Sequence, residues 1–317
     1  MTALHKFVFD GLPVRGMLVQ LTDCWQALLA RRSGEAAFAP PVRALVGEMS
    51  AAGVLMHANL KFDGALVLQV HGDGPVKLAV VEVQPDLAFR STAKVEGEVA
   101  AGAGLEALLN AHGRGRCAIT LDPNGRQRGR RPYQGIVPLT DERHEALHDV
   151  AEVLEHYMRQ SEQLETRFVL AADERVAAGL LIQRLPVAGG ANLGSGSGDD
   201  EASSEGFHRI AQLAGTLTPR ELLGLPADRI LHRLFWQESL RLFEPLVPRF
   251  ACSCSRERVR TMLLALGRAE CEELIAERGI VEVRCEFCGA PYRFDAVDIA
   301  GLDAPGRDRP PSSPALQ

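Results

Sequence analysis

Several features are scarce in this sequence, and each scarcity argues against a class of protein. Of the 317 residues only 5% are aromatic, and the formal net charge is -6. Nonspecific nucleic-acid binding needs a concentrated basic surface, which an acidic balance does not favour. No apolar run approaches the length of a membrane span. These observations favour a globular protein that acts away from nucleic acid and lipid.

Signals for secretion are also missing. The first ten residues include Asp10 and lack an apolar core followed by a small-residue cleavage site, so we expect a cytoplasmic protein. Seven cysteines are an odd number for a disulfide scaffold, and five of them lie between Cys252 and Cys288. In a reducing compartment such a cluster is more often a metal or redox site.

Signatures of common enzyme classes are absent as well. The sequence has no G-x-x-x-x-G-K-[ST] motif, and its closely spaced glycines do not follow a strand and open a helix, as a dinucleotide fingerprint requires. It has no local signature of a Ser–His–Asp triad and no zinc-deaminase pattern. We therefore expect a protein that is not an enzyme.

The first part of the chain, residues 1–186, predicts a domain of antiparallel strands and helices. Strand candidates are residues 66–70, 76–83, 117–121, 135–139, 168–171 and 177–185. Turn residues 71–75 predict a hairpin between the first two. Helices are expected over 41–60 and 142–164, and the basic cluster 126–131 is expected to be a solvated loop. This pattern favours an α+β fold over a doubly wound sheet.

A Gly/Ser-rich and acidic segment, 189–206, predicts a flexible boundary after this domain. Beyond it, Thr218 to Glu221 form a capping box with proline at the first helical position, and 226–236 predicts another helix. We expect their apolar face to pack on the first domain's sheet, and the residues alone favour an ordinary permanent core over a surface that unfolding makes available to other proteins. The residues of this face are Leu222, Leu223, Leu225, Ile230, Leu231, Leu234, Phe235 and Trp236. The predicted division is a domain (1–186), a flexible and then helical linker (187–246), a small module (247–302) and a disordered tail (303–317).

Four cysteines in the small module have the spacing of a metal site. Cys252 and Cys254 form a C-x-C pair, and about thirty residues later Cys285 and Cys288 form a C-x-x-C pair. Structural zinc favours four thiolates supplied in close pairs by two turns, and a closed shell of four leaves no open position for catalysis. The sequence therefore predicts one structural Zn²⁺ per chain. Between the pairs, 256–266 and 270–278 predict two helices, the second ending at Gly279.

Oxidation of these thiolates would remove more cross-linking than it supplies. A disulfide inside either pair closes a loop of only three or four residues, worth about 1.6 kcal/mol of loop entropy, against roughly 3.5 kcal/mol for a thirty-residue closure. Structural zinc contributes about 10–16 kcal/mol, as much as the stability of a whole domain, roughly 5–15 kcal/mol. A small module with few aromatics should therefore unfold when its metal leaves.

The other cysteines and the nearby arginines carry weaker signals. We expect Cys271 to be a small buried residue in the helix between the pairs, and Cys24 and Cys117 to lie in the core of the first domain. Three arginines close in sequence to the pairs, Arg256, Arg258 and Arg284, either favour the thiolate form or are simply solvated.

These motifs resemble the bacterial family of 33-kilodalton redox-regulated heat-shock chaperones. In the small module the resemblance is carried by residues 252–258, 285–289 and 292–299. In the first domain it is carried by Val14-Arg-Gly16, Leu60-Lys-Phe-Asp-Gly64, Gly72-Asp-Gly-Pro75, Tyr133-Gln-Gly135 and Tyr157-Met-Arg-Gln-Ser-Glu-Gln163. It covers nearly the whole chain. The chain departs from the family pattern in its 189–206 segment and in its cysteines at 24, 117 and 271.

The resemblance implies an ATP-independent holdase with a client-binding and dimerising first domain, a metastable linker and a C-terminal switch. The zinc-bound, reduced protein is expected to be inactive. Oxidation is expected to pair Cys252 with Cys254 and Cys285 with Cys288, to release zinc, to unfold the switch and linker, and to favour a dimer that binds unfolding proteins. The four cysteines are then both metal ligands and redox sensors.

Two other functions stay open on the residues alone. One is a zinc-ribbon factor that binds nucleic acid, although the acidic balance disfavours it. The other is a thiol-disulfide oxidoreductase using Cys285 and Cys288, which would need a thioredoxin-like junction between a strand and a helix.

Overall fold

The computed structural model describes residues 1–32, 34–123, 132–186 and 197–301. The chain divides into two compact units, the first running from Met1 to Cys252 and the second beginning at Ser253. We call these the first unit and the C-terminal module. The basic cluster 126–131 and the tail 303–317 lie outside the described residues. No helix among the described residues has the length and apolar character to span a membrane.

The first unit contains two sheets and seven α-helices among its described residues. Its strands are β1 (Ala3–Phe9), β2 (Val14–Leu21), β3 (Gly64–His71), β4 (Val76–Val83), β5 (Ala88–Val95), β6 (Arg116–Pro123), β7 (Tyr133–Pro138), β8 (Thr166–Ala172), β9 (Ala177–Arg184), β10 (Leu240–Leu242) and β11 (Arg249–Phe250). Its helices are α1 (Asp23–Ala30), α2 (Pro40–Asn59), α3 (Leu105–Leu109), α4 (Val150–Ser161), α5 (Ser197–Gly215), α6 (Pro219–Gly224) and α7 (Ala227–Phe235). The predicted α+β class is confirmed.

Helix α2 lies in the main core, between the two sheets. The six-stranded sheet has the order β11-β5-β4-β3-β6-β7, and the five-stranded sheet has the order β10-β1-β2-β9-β8. Helix α2 starts with proline at its first turn and is buried along most of its length. Because it is apolar on nearly every face, it is stable only when enclosed. Its residues form one cluster with side chains of both sheets.

The three helices α5, α6 and α7, which we call the linker helices, cover the other face of the five-stranded sheet. They pack Ile210, Leu222, Leu231, Phe235 and neighbouring side chains against β1, β2 and β9. The rings of Phe9 and Phe235 are perpendicular, with their centroids 5.1 Å apart. The predicted packing of the apolar face on the sheet is therefore confirmed, and so is the capping box at Thr218.

Gly16 of β2 is essential to this aromatic contact. The ring of Phe7 in β1 lies so close to the Gly16 backbone that a Cβ atom there would clash with it. The ring centroids of Phe7 and Phe235 are 6.1 Å apart, so the position of Phe7 helps to define where α7 docks. A glycine in a strand commonly marks such a close approach.

Three expectations about this unit are wrong in detail. Trp236 is 68% exposed, because it follows the last residue of α7 and lies beyond the buried face of that helix. The helix predicted over 142–164 begins only at Val150, where the Asp149 side chain accepts from the Glu152 N–H as the N-cap. The segment predicted to be flexible over 189–206 is helical from Ser197 onwards, while residues 187–196 lie outside the described part of the chain.

The C-terminal module consists of helices α8 (Arg256–Leu266) and α9 (Arg268–Arg278), strands β12 (Val281–Arg284) and β13 (Pro291–Phe294), and helix α10 (Ala296–Ala300). Ser255 caps α8, and Asp295 forms a capping box at α10. Gly279 ends α9 in the left-handed conformation with φ of 73°, which confirms the predicted C-terminal stop. The two strands form an antiparallel hairpin.

Candidate metal centre

The C-x-C pair lies just before the start of a helix. Cys252 and Cys254 precede Ser255, whose side chain accepts from the Arg258 N–H at the first turn of α8. Arg258 also donates to Ser253 between the two cysteines, at 2.8 Å to its carbonyl and 2.7 Å to its hydroxyl. The short segment between the cysteines is therefore held by hydrogen bonds. The N-terminus of a helix also favours negative charge on nearby thiolates.

The C-x-x-C pair occupies the turn that joins β12 to β13. The Gly289 N–H donates to the Cys285 carbonyl at 2.7 Å, and the Cys285 N–H donates to the Ala290 carbonyl at 3.0 Å. Gly289 has a φ of 69°, a conformation that favours glycine. Strand, turn and strand therefore present both sulfurs from one tight loop. Because this motif joins two antiparallel strands, it does not have the strand-to-helix setting that a thioredoxin-like oxidoreductase requires.

The structure brings all four predicted cysteines together. The Sγ atoms of Cys252, Cys254, Cys285 and Cys288 all lie within 4.8 Å of one another. Those of Cys254 and Cys288, which belong to different pairs, are 3.4 Å apart, too far for a disulfide bond of about 2.05 Å. Zn–S bonds of about 2.3 Å in a tetrahedron would separate sulfurs by about 3.8 Å. The donor set and its spacing therefore fit one tetrahedral metal ion.

Two side chains donate hydrogen bonds to sulfurs of the C-x-C pair. The Tyr292 hydroxyl donates to Cys254 Sγ at 3.0 Å, and the Arg90 guanidinium of the first unit bonds to Cys252. The hydrogen bond to Cys254, and then burial and the nearby sulfurs, raise the pKa of Tyr292. Arg90 also donates to Glu82 at 3.1 Å, and although burial alone would lower the pKa of Arg90, these two partners raise it. Sequence reasoning missed both donors, since neither lies within a cysteine pair.

The arginines close to the pairs have mainly structural partners. Arg256 donates to Asp298 at 2.7 Å and stacks over the Phe294 ring, 4.2 Å from its centroid. Arg284 donates to Glu282 at 2.9 Å. These contacts bind parts of the module to one another.

The remaining cysteines are buried away from the cluster, as predicted. Cys271 is fully buried in the small core of the C-terminal module, where burial raises the pKa of its thiol. Cys24 and Cys117 lie in the main core of the first unit. Burial raises the pKa of Cys117 to about 12 and also raises that of Cys24. Thiols with raised pKa values are poor nucleophiles and poor metal ligands at neutral pH.

A solved structure shares this architecture. The crystal structure of the 33 kDa chaperonin (heat shock protein 33 homologue) of Thermotoga maritima matches with a TM-score of 0.73, covering 95% of this chain and 97% of that one at 20% identity. This chain therefore has the fold of the Thermotoga maritima protein, although the two sequences are only 20% identical.

Comparison of sequences identifies the family, whereas the structural match shows the fold alone. The family model described as Hsp33 protein matches residues 3–295. The 33 kDa chaperonin of Chromobacterium violaceum is 46% identical over 299 residues, covering 94% of this chain and 92% of that protein. The protein of the same name from Azotobacter vinelandii is 44% identical, covering 98% of this chain and 97% of the relative. The chain belongs to the Hsp33 family of chaperones.

Proposed function

We propose that this chaperone is a redox-regulated, ATP-independent holdase whose C-terminal metal centre controls access to an apolar protein-binding surface. One observation carries the proposal: four thiols from two distant segments converge, and three of them belong to a module with very little core of its own. Such a module depends on its cross-link, and the atoms of that cross-link are the ones oxidants attack.

In the reduced state, Cys252, Cys254, Cys285 and Cys288 bind one Zn²⁺ per chain. Zinc supplies a four-way cross-link between the loop before α8 and the turn between β12 and β13. The four-thiol donor set and the sulfur separations support this assignment. Because the four ligands fill the tetrahedral shell, we propose no enzymatic role for the metal.

Oxidation by peroxide would convert the ligands to disulfides within each pair, Cys252 with Cys254 and Cys285 with Cys288, as the family resemblance implies. Each disulfide closes only a three- or four-residue loop and replaces little of the lost cross-linking. The module then loses its fold. The short sequence spacing within each pair, C-x-C and C-x-x-C, supports this pairing.

Loss of the module would destabilise the linker helices and uncover the sheet beneath them. The surfaces released are the helix residues around Leu222 and Phe235 and the strand residues around Phe7 and Leu180, all buried in the reduced state. Apolar surface of this kind binds unfolding proteins without sequence specificity. The clients are unfolded or partly folded proteins, and the oxidised chain forms a homodimer.

In this proposal, residues 1–186 bind clients and dimerise, and residues 247–302 form the redox switch. Residues 187–246 form a metastable linker that unfolds when the switch does. We place the protein in the cytoplasm, where thiols are normally reduced and oxidation is therefore a signal.

The experiment combines metal analysis with an aggregation assay on the full chain. The reduced protein is expected to contain about one zinc per chain and to leave a thermally unfolding client unprotected. Peroxide at mildly raised temperature is expected to release the zinc, remove four thiols and suppress aggregation without ATP. Equal suppression by the reduced, zinc-loaded protein would refute the switch. Zinc-dependent and salt-sensitive RNA binding would instead indicate a nucleic-acid-binding factor.

A further inference from the structure

Tyr292 contacts the proposed metal centre without being one of its ligands. It lies on β13 opposite Val283 of β12, so the register of the hairpin determines its position. Phe294, two residues further along, points to the same face of the strand and is buried in the core of the module. The Tyr292 ring packs partly buried against that core. Its hydroxyl is therefore held in place when it donates to Cys254 Sγ at 3.0 Å.

We propose that Tyr292 is a positioning residue that holds the Cys254 sulfur for the metal and slows its oxidation. The inference rests on the proposed redox switch and extends it, because it names a side chain that determines how much oxidant the switch requires. It concerns the hydroxyl group alone, since the ring has a separate role in packing.

The physical reason is that the hydrogen bond from Tyr292 and the attack on peroxide both draw on the electron density of Cys254 Sγ. A thiolate uses a lone pair to attack peroxide, and a hydrogen bond to that sulfur makes its electrons less available. Hydrogen bonds to charged groups are stronger than those between neutral ones. The same bond restrains the Cys254 side chain beside Cys288, whose sulfur is 3.4 Å away, and so reduces the entropy lost when metal binds.

The oxidation step balances with hydrogen peroxide as the oxidant. The Cys254 thiolate attacks one oxygen, an S–O bond forms and the O–O bond breaks, and a proton converts the departing hydroxide to water. Sulfur loses two electrons and peroxide gains them, giving a sulfenic acid that condenses with a neighbouring thiol to form a disulfide and a second water. The hydrogen bond from Tyr292 opposes the first of these steps.

The test compares Tyr292→Phe with wild type in the full-length, reduced, zinc-loaded chain. The matched control is Tyr133→Phe, which removes the same hydroxyl from β7 in the first unit, where Tyr133 is 49% exposed. Zinc affinity is measured by chelator competition, and zinc release by a colorimetric indicator after peroxide addition. Cobalt(II) substitution adds a spectroscopic readout, since the thiolate-to-cobalt charge-transfer band reports the electron density on sulfur.

Tyr292→Phe is expected to weaken zinc binding and to accelerate peroxide-driven zinc release, each by about tenfold, as for the loss of one hydrogen bond. The charge-transfer band is expected to move to lower energy. Tyr133→Phe is expected to match wild type in all three readouts. Unchanged release and an unchanged band in Tyr292→Phe, or slower release, would overturn the inference.

A second measurement tests the role of the Tyr292 hydroxyl even if Tyr292→Phe folds poorly. Chains labelled with 3-fluorotyrosine carry a stronger hydroxyl donor and are expected to release zinc more slowly than unlabelled wild type. Labelled Tyr292→Phe chains show whether the effect belongs to this residue. A labelled wild-type chain that releases zinc at the unlabelled rate would also overturn the inference. Failure of oxidised wild type to suppress aggregation would count against the proposed function alone.

Discussion

The two units of this chain differ greatly in the size of their buried apolar cores. The first unit has an extensive core in which side chains of both sheets surround α2, including fully buried Trp25, Phe89 and Phe168. Among the described residues of the C-terminal module, the buried apolar cluster consists of Leu263, Cys271, Val281, Phe294 and Ile299. So small a core rarely stabilises a fold without a metal or disulfides. In the proposed switch, the sheets around α2 are therefore the permanent part of the chain, and the C-terminal module is the conditional part.

The largest effect is expected from a substitution that removes one ligand of the proposed zinc cross-link in the C-terminal module. Cys285→Ser is expected to reduce bound zinc well below one per chain and to unfold the C-terminal module, because structural zinc contributes about 10–16 kcal/mol. Hydrogen exchange is expected to show loss of protection in α8 and α9, with the strands around α2 still protected. The reduced variant is also expected to have some holdase activity.

Cys271→Ser is the control for this substitution, because Cys271 lies in the same module but outside the four-sulfur cluster. It is expected to retain its zinc. Full metal content and no activity in reduced Cys285→Ser would show that this residue is not a ligand.

A second prediction concerns the boundary between permanent and conditional structure. Phe235→Ala removes a buried ring that meets Phe7 and Phe9, at an expected cost of about 3–5 kcal/mol. The linker helices are expected to lose hydrogen-exchange protection while α2 retains it. Reduced protein is then expected to suppress client aggregation partially.

Trp236 provides the matched control because it is the next residue and is 68% exposed. Trp236→Ala is expected to change stability by no more than about 0.5 kcal/mol. Equal effects of the two substitutions would mean that burial against the sheet does not hold the linker helices in place.

The smallest expected effect concerns Glu48, a half-buried carboxyl group on α2 that lines a cavity together with Asp149 and Glu155. Burial, and then the charge of Asp149, raise the pKa of Glu48 on α2 from 4.5 to about 8. The folded state therefore retains a proton that the unfolded state releases, and the resulting destabilisation grows as the pH rises from 4.5 to about 8. Glu48→Gln is expected to stabilise the first unit by about 1–3 kcal/mol above that range, with little effect at its lower end.

Urea unfolding of the zinc-loaded, reduced protein across this pH range measures the difference. Glu106→Gln, which makes the same change at an exposed carboxyl group, is the control. A stability difference for Glu48→Gln that is constant with pH would contradict the raised pKa.

Local patterns in the sequence were sufficient to predict the hairpin of β3 and β4, the four-cysteine cluster and the capping box at Thr218. Each depends on residues that are neighbours in sequence or on a spacing typical of metal ligands. The two-residue strand β11 was not predictable, because its parallel pairing with Ala88 and Phe89 arises only from tertiary packing. The contact of Tyr292 with Cys254 was missed because it spans 38 residues. The exposure of Trp236 depends on where α7 ends.

Gly16 connects the proposed switch to a close contact inside the five-stranded sheet, where the Phe7 ring leaves no room for a Cβ atom. A methyl group at this position would push the Phe7 ring outward, and Phe7 is one of the two aromatic rings that receive Phe235. Gly16→Ala would leave every cysteine unchanged and still disturb the surface of the sheet on which α7 packs. For the proposed switch, the consequence is that a substitution in the central strand of a β-sheet, far in sequence from the four clustered cysteines, is expected to alter the amount of oxidant needed to release the linker helices.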